Sequence, residues 1–403
     1  MHPQGDKATH THNKTLIILI LGALMTVSPF SIDMYLPAFA QIANSFGTTP
    51  ARISLSVSSY FIGLGMGQLL YGPLLDRFGR KQPLYFGLGL YLIACIGCMQ
   101  SHSEGQLIAM RFVQGLGGCV AMVAAIAMVR DFFPVGESAK ILSLLMLVLG
   151  LSPLLAPTLG GFVTAWLGWQ WVFIILAVIV ALILFLTIAF LPHASDPDTS
   201  VSLKPKPIIT AYLAVLRNPH FYVYTLSGAF SFAALFVYVA GSPVIFMGVF
   251  QTSPQAYGGI FALLSVGFIG SNQLNILLLR KYSSSKIFRT GLVLQLAVSL
   301  VFLLAASNNW LGLVDTIIMF FVSLGCIGLT YPNASAMALA PFSRNAGTAA
   351  ALTGFVQIGV AALASACTGF FNAASIVPII AMLPCTSFIA CAVFFVLRKK
   401  VSI

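Results

Sequence analysis

Two charged side chains stand where apolar residues are the rule: Asp33, within SPFSIDMYLPAFA at 28–40, and Arg111, within RFVQG at 111–115. A charge at the middle of a bilayer costs roughly 2.5–3.5 kcal/mol on insertion scales, so a spanning segment that keeps one generally uses it for a proton, an ion or a charged ligand. A carboxylate suits proton work because burial favours its neutral form and a nearby guanidinium favours its ionised form. Membrane charges pair with one another or face a water-filled cavity. Asp33 and Arg111 are therefore expected to line one central cavity and to communicate there, with Asp33 exchanging a proton. The alternative is a helix that stops early and leaves Asp33 at the water boundary.

The elements that must carry this pair follow from composition. Of 403 residues, 59% are hydrophobic and 7% charged, against about 25% charged in soluble domains, so the chain cannot clothe a globular surface. Apolar runs of about 20 residues, each able to cross about 30 Å of hydrocarbon as a helix, recur along the whole length. They fall near 16–38, 53–75, 82–101, 106–128, 138–163, 169–191, 221–243, 256–279, 287–306, 311–335, 347–370 and 376–397. This is an all-α membrane protein of about twelve spans. The polar stretch 192–220 reads as a cytoplasmic linker loop between an N-terminal six-helix half, 1–191, and a C-terminal one, 221–403.

Lysine and arginine in short loops stay on the cytoplasmic side. Arg77, Arg80 and Lys81, Arg130 and Lys140, and Arg280, Lys281, Lys286 and Arg289 all fall in alternate loops or nearby helix ends, with Arg52 the exception. Both termini are then cytoplasmic, and the net charge of +11 reflects topology and lipid headgroups, with no nucleic-acid partner required. The first span resembles a secretory leader, but its length, Asp33 and two prolines favour a retained helix. At 1.5 Å per residue, Asp33 lies about 28 Å from the inner end of its helix and Arg111 about 7 Å from the outer end of its own, compatible depths.

The two halves are weakly similar. GMGQLLYGPLLDRFGRKQPL at 65–84 aligns without gaps on GSNQLNILLLRKYSSSKIFR at 270–289, matching Gly65 with Gly270, Gln68 with Gln273 and Lys81 with Lys286. Internal repeats of this kind build many secondary transporters, with the substrate site between them near the midplane.

Four motifs carry a resemblance to the major facilitator superfamily, and within it to the drug:proton antiporters of the bicyclomycin- and chloramphenicol-resistance branch. GPLLDRFGRK at 72–81 is similar to the superfamily's loop between its second and third helices, RFVQG at 111–115 to its fourth-helix motif, and GLSPLLAPTLGG at 150–161 to the antiporter motif of the fifth helix, with Ala156 where glycine is usual. SIDMYLP at 31–37 resembles the branch's first-helix signature. The resemblance implies a proton-coupled exporter of small amphipathic molecules. It implies gating by Gly72, Asp76, Arg77 and Arg80 with Asp131 as counter-charge, and antiport governed by Gly150, Pro153, Pro157, Gly160 and Gly161. Asp33 and Arg111 would couple protons, and Asp33 and Tyr35 would touch substrate. Drug-like molecules, protons and lipid are the implied partners of a monomer in the bacterial inner membrane.

The residues also have their own physical content. Asp76 is a lone acid among three bases, which topology does not require. Pro153 and Pro157 each remove a backbone donor and bend the fifth span, while Gly160 and Gly161 allow a neighbour close against the bend. Gly63, Gly65, Gly67, Gly115, Gly117 and Gly118 read as helix-packing positions. Some related antiporters carry a second acid two turns before the first; here that place is Met25. Asp315 reads as interfacial. Aromatic candidates for the cavity wall are Phe230, Phe232, Phe236, Tyr238 and Tyr331.

Other classes find less support. The histidines outside the N-terminal tail fall at predicted loops, no GxxxxGK is present for ATP, and the Cys95-Ile-Gly-Cys98 spacing lacks polar neighbours in the sequence. His10-Thr-His12 reads as incidental. An enzyme, a metal and a cofactor are thus not expected. The alternative on the same fold is a proton-coupled uptake symporter, against which the fifth-span motif argues.

Overall fold

The computed structural model describes residues 14–192, 197, 205–342, 346–370 and 375–398; the His10-Thr-His12 pair lies outside them. Twelve helical segments in it are long and apolar enough to cross a membrane. In chain order the helices are α1 (Lys14–Asp33), α2 (Phe39–Phe46), α3 (Pro50–Phe78), α4 (Lys81–Met99), α5 (Glu104–Phe132), α6 (Val135–Trp166) and α7 (Gln170–Phe190). They continue as α8 (Pro205–Leu216), α9 (Pro219–Pro243), α10 (Pro254–Leu278), α11 (Ser284–Ser307), α12 (Leu313–Leu339), α13 (Ala346–Thr368) and α14 (Val377–Leu397).

Helix starts are written locally. Thr49, Asn218 and Ser253 each precede a proline at the first helical position, and each side chain accepts a hydrogen bond from the opening turn, as an N-cap should. Ser103 and Ser283 do the same for α5 and α11. The first span is broken. Pro37, four residues past Asp33, cannot donate to the Asp33 carbonyl, so α1 ends there; a 3-10 turn over Leu36–Ala38 and then α2 carry the chain onward. The helix therefore does stop early, yet Asp33 stays buried because the chain beyond it remains within the bundle. The stretch expected to be a loop at 192–220 contains α8, whose Tyr212 hydroxyl donates to the Leu69 carbonyl of α3 at 3.3 Å.

Helices α1 and α3–α7 pack among themselves, as do α9–α14, and the two groups meet mainly where α3 faces α13 and α6 faces α10. Glycine sets the closest approaches within the first group: a Cβ on Gly63 would strike the Phe112 carbonyl, and one on Gly115 the Tyr60 carbonyl. Between groups the α3–α13 seam includes two hydroxyl pairs, Ser58 Oγ 2.6 Å from Ser365 Oγ and Ser54 Oγ 3.3 Å from Thr368 Oγ1, beside close approaches of Gly65 to Ile358 and of Leu55 to Gly369. The turns α3–α4, α5–α6 and α10–α11, which hold or adjoin the clustered lysines and arginines, share one end of the bundle, here called the basic end. At the far end the 3-10 turn of the first span touches α6, α9 and α10, which interlocks the two groups there.

Candidate functional site

Asp33 closes α1 with 6% of its surface exposed and makes no hydrogen bond or ion pair with any described residue. Its charge reaches Tyr238 on α9 and Tyr257 on α10, and the 3-10 turn that follows it touches both of those helices of the second group as well as α6 of its own. The Tyr257 hydroxyl is itself tied to Ser242 Oγ at 2.8 Å.

Arg111 is fully buried on α5. Its guanidinium carbon lies 4.6 Å from the Tyr35 ring centroid and 4.5 Å from that of Tyr60, a cation–π sandwich. Nη1 donates to Gln114 Oε1 at 2.6 Å, one helical turn on, and Gln114 Nε2 donates to Cys95 Sγ at 3.0 Å. Nε and Nη2 are buried without a partner among the described residues.

The expected contact between Asp33 and Arg111 is thus absent here, and helix geometry explains why. Residues 31 and 35 lie on the same face of the chain while residue 33, two positions from each, points elsewhere. Ser31 bonds the Tyr91 hydroxyl of α4 and Tyr35 meets Arg111, both inside the first helix group, which turns Asp33 towards the second. Tyr35 is correspondingly enclosed. Its hydroxyl lies 2.9 Å from Ser56 Oγ and its ring packs on Phe39 and Phe173, so it stands inside the first group rather than on a cavity wall. Cys95, whose sequence neighbours are apolar, belongs to the Arg111–Gln114 chain.

Of the aromatic candidates, Phe236 meets the first group and Phe232 and Tyr331 continue the row from it, whereas Phe230 and Tyr238 pack inside the second group. Phe61 of α3 contacts Phe236 edge-on at 4.4 Å, Phe236 lies 5.1 Å from Phe232, and Phe232 stacks on Tyr331 of α12 at 4.1 Å.

At the basic end, Arg80 bridges two acids: Nη1 donates to Asp76 Oδ1 at 2.5 Å, and Nε to Asp131 Oδ2 at 2.8 Å. Burial works against the Arg80 charge, but the hydrogen bonds it donates to both carboxylates, together with their negative charge, outweigh it and hold the guanidinium above its usual pKa. Lys81 donates to the Leu191 carbonyl at 2.6 Å, fastening the same turn to the end of α7. Arg77 ends the preceding span, and a Cβ on Gly72 would meet open space.

Along α6, a Cβ on Gly160 would strike the Met34 carbonyl and one on Gly161 would lie 2.6 Å from the Pro254 carbonyl of α10. Pro153 and Pro157 lie inside the helix, and Pro157 faces Gly258 of α10. The motif therefore touches both the residue after Asp33 and the other helix group. Gly150 has no such neighbour. Asp315 is exposed and accepts from the Gly312 amide at 3.0 Å, an ordinary cap at the start of α12.

Residues 21–366 match the family model described as Major Facilitator Superfamily. A bicyclomycin resistance protein homolog of Haemophilus influenzae is 29% identical over 348 residues, covering 86% of this chain and 87% of that protein. A chloramphenicol resistance protein of Pseudomonas aeruginosa is 28% identical over 346 residues, 83% of this chain and 79% of that one. Multidrug resistance protein MdtL of Escherichia coli is 29% identical over 343 residues, 83% and 84%. Among solved structures, a D-xylose-proton symporter superposes with a TM-score of 0.76 at 14% identity, over 94% of this chain and 97% of its own. At that identity the likeness is one of fold. Twelve spans, a charged turn after the second, a buried arginine in the fourth and a family model that covers most of the sequence lead to one assignment: the chain belongs to the major facilitator superfamily.

Proposed function

We propose that this multi-pass membrane protein is a proton-coupled exporter of small amphipathic, drug-like molecules that works by alternating access between its halves, 1–191 and 221–403. The observation that carries it is Asp33, an unpartnered carboxylate buried at the end of α1, beside the 3-10 turn that meets α9 and α10. The resistance named in the relatives supports drugs as the cargo, and the aromatic row from Phe61 to Tyr331 supplies the apolar contact area such cargo needs.

In this function, entering substrate displaces the Asp33 proton, the loaded transporter turns, and Asp33 takes a proton from the opposite side as substrate leaves. Arg111 holds the first helix group in register around Tyr35, the residue that fixes the direction of Asp33. The basic end and both termini face the cytoplasm of a bacterial cell, a single chain is the working unit, and the Arg80 bridge to Asp76 and Asp131, flanked by Gly72 and Arg77, latches that face. The α6 motif is the surface on which the halves move.

The test is proton release from purified protein on adding drug. Release should occur in the parent and vanish in Asp33→Asn, a nearly isosteric variant that cannot ionise. Unchanged release in that variant would place the proton on another group, with Asp315 the next acid to examine.

A further inference from the structure

Helix α8 follows α7, whose end Lys81 fastens to the basic end, and it leads into α9, the first span of the second helix group. At 3.6 residues per turn its side chains fall into three sectors around the axis. Tyr212 and Val215 face the bundle. The Tyr212 hydroxyl donates to the Leu69 carbonyl of α3, and Val215 shares a buried cluster with Ala349 and Leu352 of α13, so this sector joins both helix groups. Ile209, Leu213 and Leu216 form the next sector, all exposed. Beyond them lie Lys206, Thr210 and Arg217, which are exposed too. The Arg217 amide donates to the Leu213 carbonyl at 3.1 Å, which keeps that residue on the final turn.

An exposed row of isoleucine and leucine beside a basic row is the pattern of a helix lying in a membrane interface, with apolar side chains at the acyl boundary and cations at the phosphates. In water the apolar row would stay unburied. The neighbouring span agrees with a lipid setting, because Ile62, Met66 and Leu70 make an exposed apolar stripe along α3 that passes beside Leu69, where Tyr212 docks. Hydrocarbon thus reaches α8 along α3. Lys206 and Arg217 form no ion pair with any described residue, so both cations are open to an anionic partner. A second copy of the chain fits less well, since a stable interface takes about 800 Å² per partner, well beyond three side chains.

We propose that α8 is a lipid-binding element: Ile209, Leu213 and Leu216 enter the acyl boundary of the leaflet at the basic end, and Lys206 and Arg217 bind anionic phospholipid headgroups there. Its other side holds α3 and α13. The leaflet is thereby tied to the place where the two halves meet.

Fluorescence of the full chain in vesicles tests it, with Leu213→Trp as reporter, Ile209→Trp as a second reporter on the same sector, and the signal of the parent's four tryptophans subtracted. The vesicles are equal mixtures of phosphatidylcholine and phosphatidylglycerol, in which one lipid at a time carries bromine on its acyl chains as quencher. Both should quench the reporter. Brominated phosphatidylglycerol should have a quenching constant about fivefold the larger, the value of one basic side chain at an anionic surface. Lys206→Gln with Arg217→Gln should bring the two constants to parity without removing the quenching, and so should high salt, which screens exposed charges. No quenching of either reporter by either lipid would overturn the proposal and leave water or a second copy against this face. Equal constants in the parent would overturn the recognition of anionic headgroups, and a preference that survives the double variant would overturn the part given to Lys206 and Arg217.

Discussion

Asp33 owes its position to two neighbours in sequence: Pro37, which ends α1 at the acid, and Tyr35, which commits the adjacent face to Arg111. The arginine is held by aromatic faces more than by charge, a sandwich worth about 2 kcal/mol or more once desolvated. Lysine keeps the charge but has neither the planar stacking surface nor the forked donors. Arg111→Lys should therefore lower the Tm of the detergent-purified protein and cut drug efflux at least tenfold. A Tm equal to the parent's would show that the rings do not hold this group. The acid and the arginine were legible as charges in apolar runs. Their failure to pair was not, because it depends on which face of a broken helix each residue occupies. Gln114 carried a signal, its spacing of three from Arg111, that the sequence alone left without a role.

Single elements transmit what these residues do. The turn between α3 and α4 is fastened by one arginine to two helices, and its partners are partly exposed, so each ion pair contributes less than about 1 kcal/mol by itself. Its value is positional. Asp76→Asn should leave expression and Tm unchanged yet slow efflux several-fold in reconstituted vesicles; parental rates would reduce the turn to a topology signal. On α6, Gly160 has no room for a side chain against the Met34 carbonyl, and overpacking a tight site costs about 1–3 kcal/mol. Gly160→Leu should abolish transport or let vesicles leak protons without drug, whereas full coupled transport would remove the case for a moving surface there. Glycine spacing made these contacts foreseeable as packing. The helix α8 was hidden, because its Pro, Lys and Thr look like linker and its helicity comes from lying against α3 and α13.

For the whole molecule, twelve spans and the alternation of basic turns were readable because bilayer thickness and charge placement act on every segment alike. How the halves touch was not, since Ser54, Ser58, Ser365 and Thr368 are unremarkable in a list of spans. They pair across the seam, and Ser58→Cys with Ser365→Cys should form a disulfide on oxidation that stops efflux and is reversed by reductant. Continued efflux by fully cross-linked protein would mean that the seam stays shut throughout the cycle. Three of the four hydroxyls can donate within their own helix: Ser54 to the Ala51 carbonyl at 2.7 Å, Ser58 to the Ser54 carbonyl at 3.5 Å and Thr368 to the Ser365 carbonyl at 2.7 Å. When α3 and α13 part, those groups keep a partner, so separation strands few dipoles in hydrocarbon. An interlocked leucine seam would have to surrender its packing all at once. This one comes undone like a row of snaps, each release small, and the barrier between its two shapes can stay within reach of thermal motion.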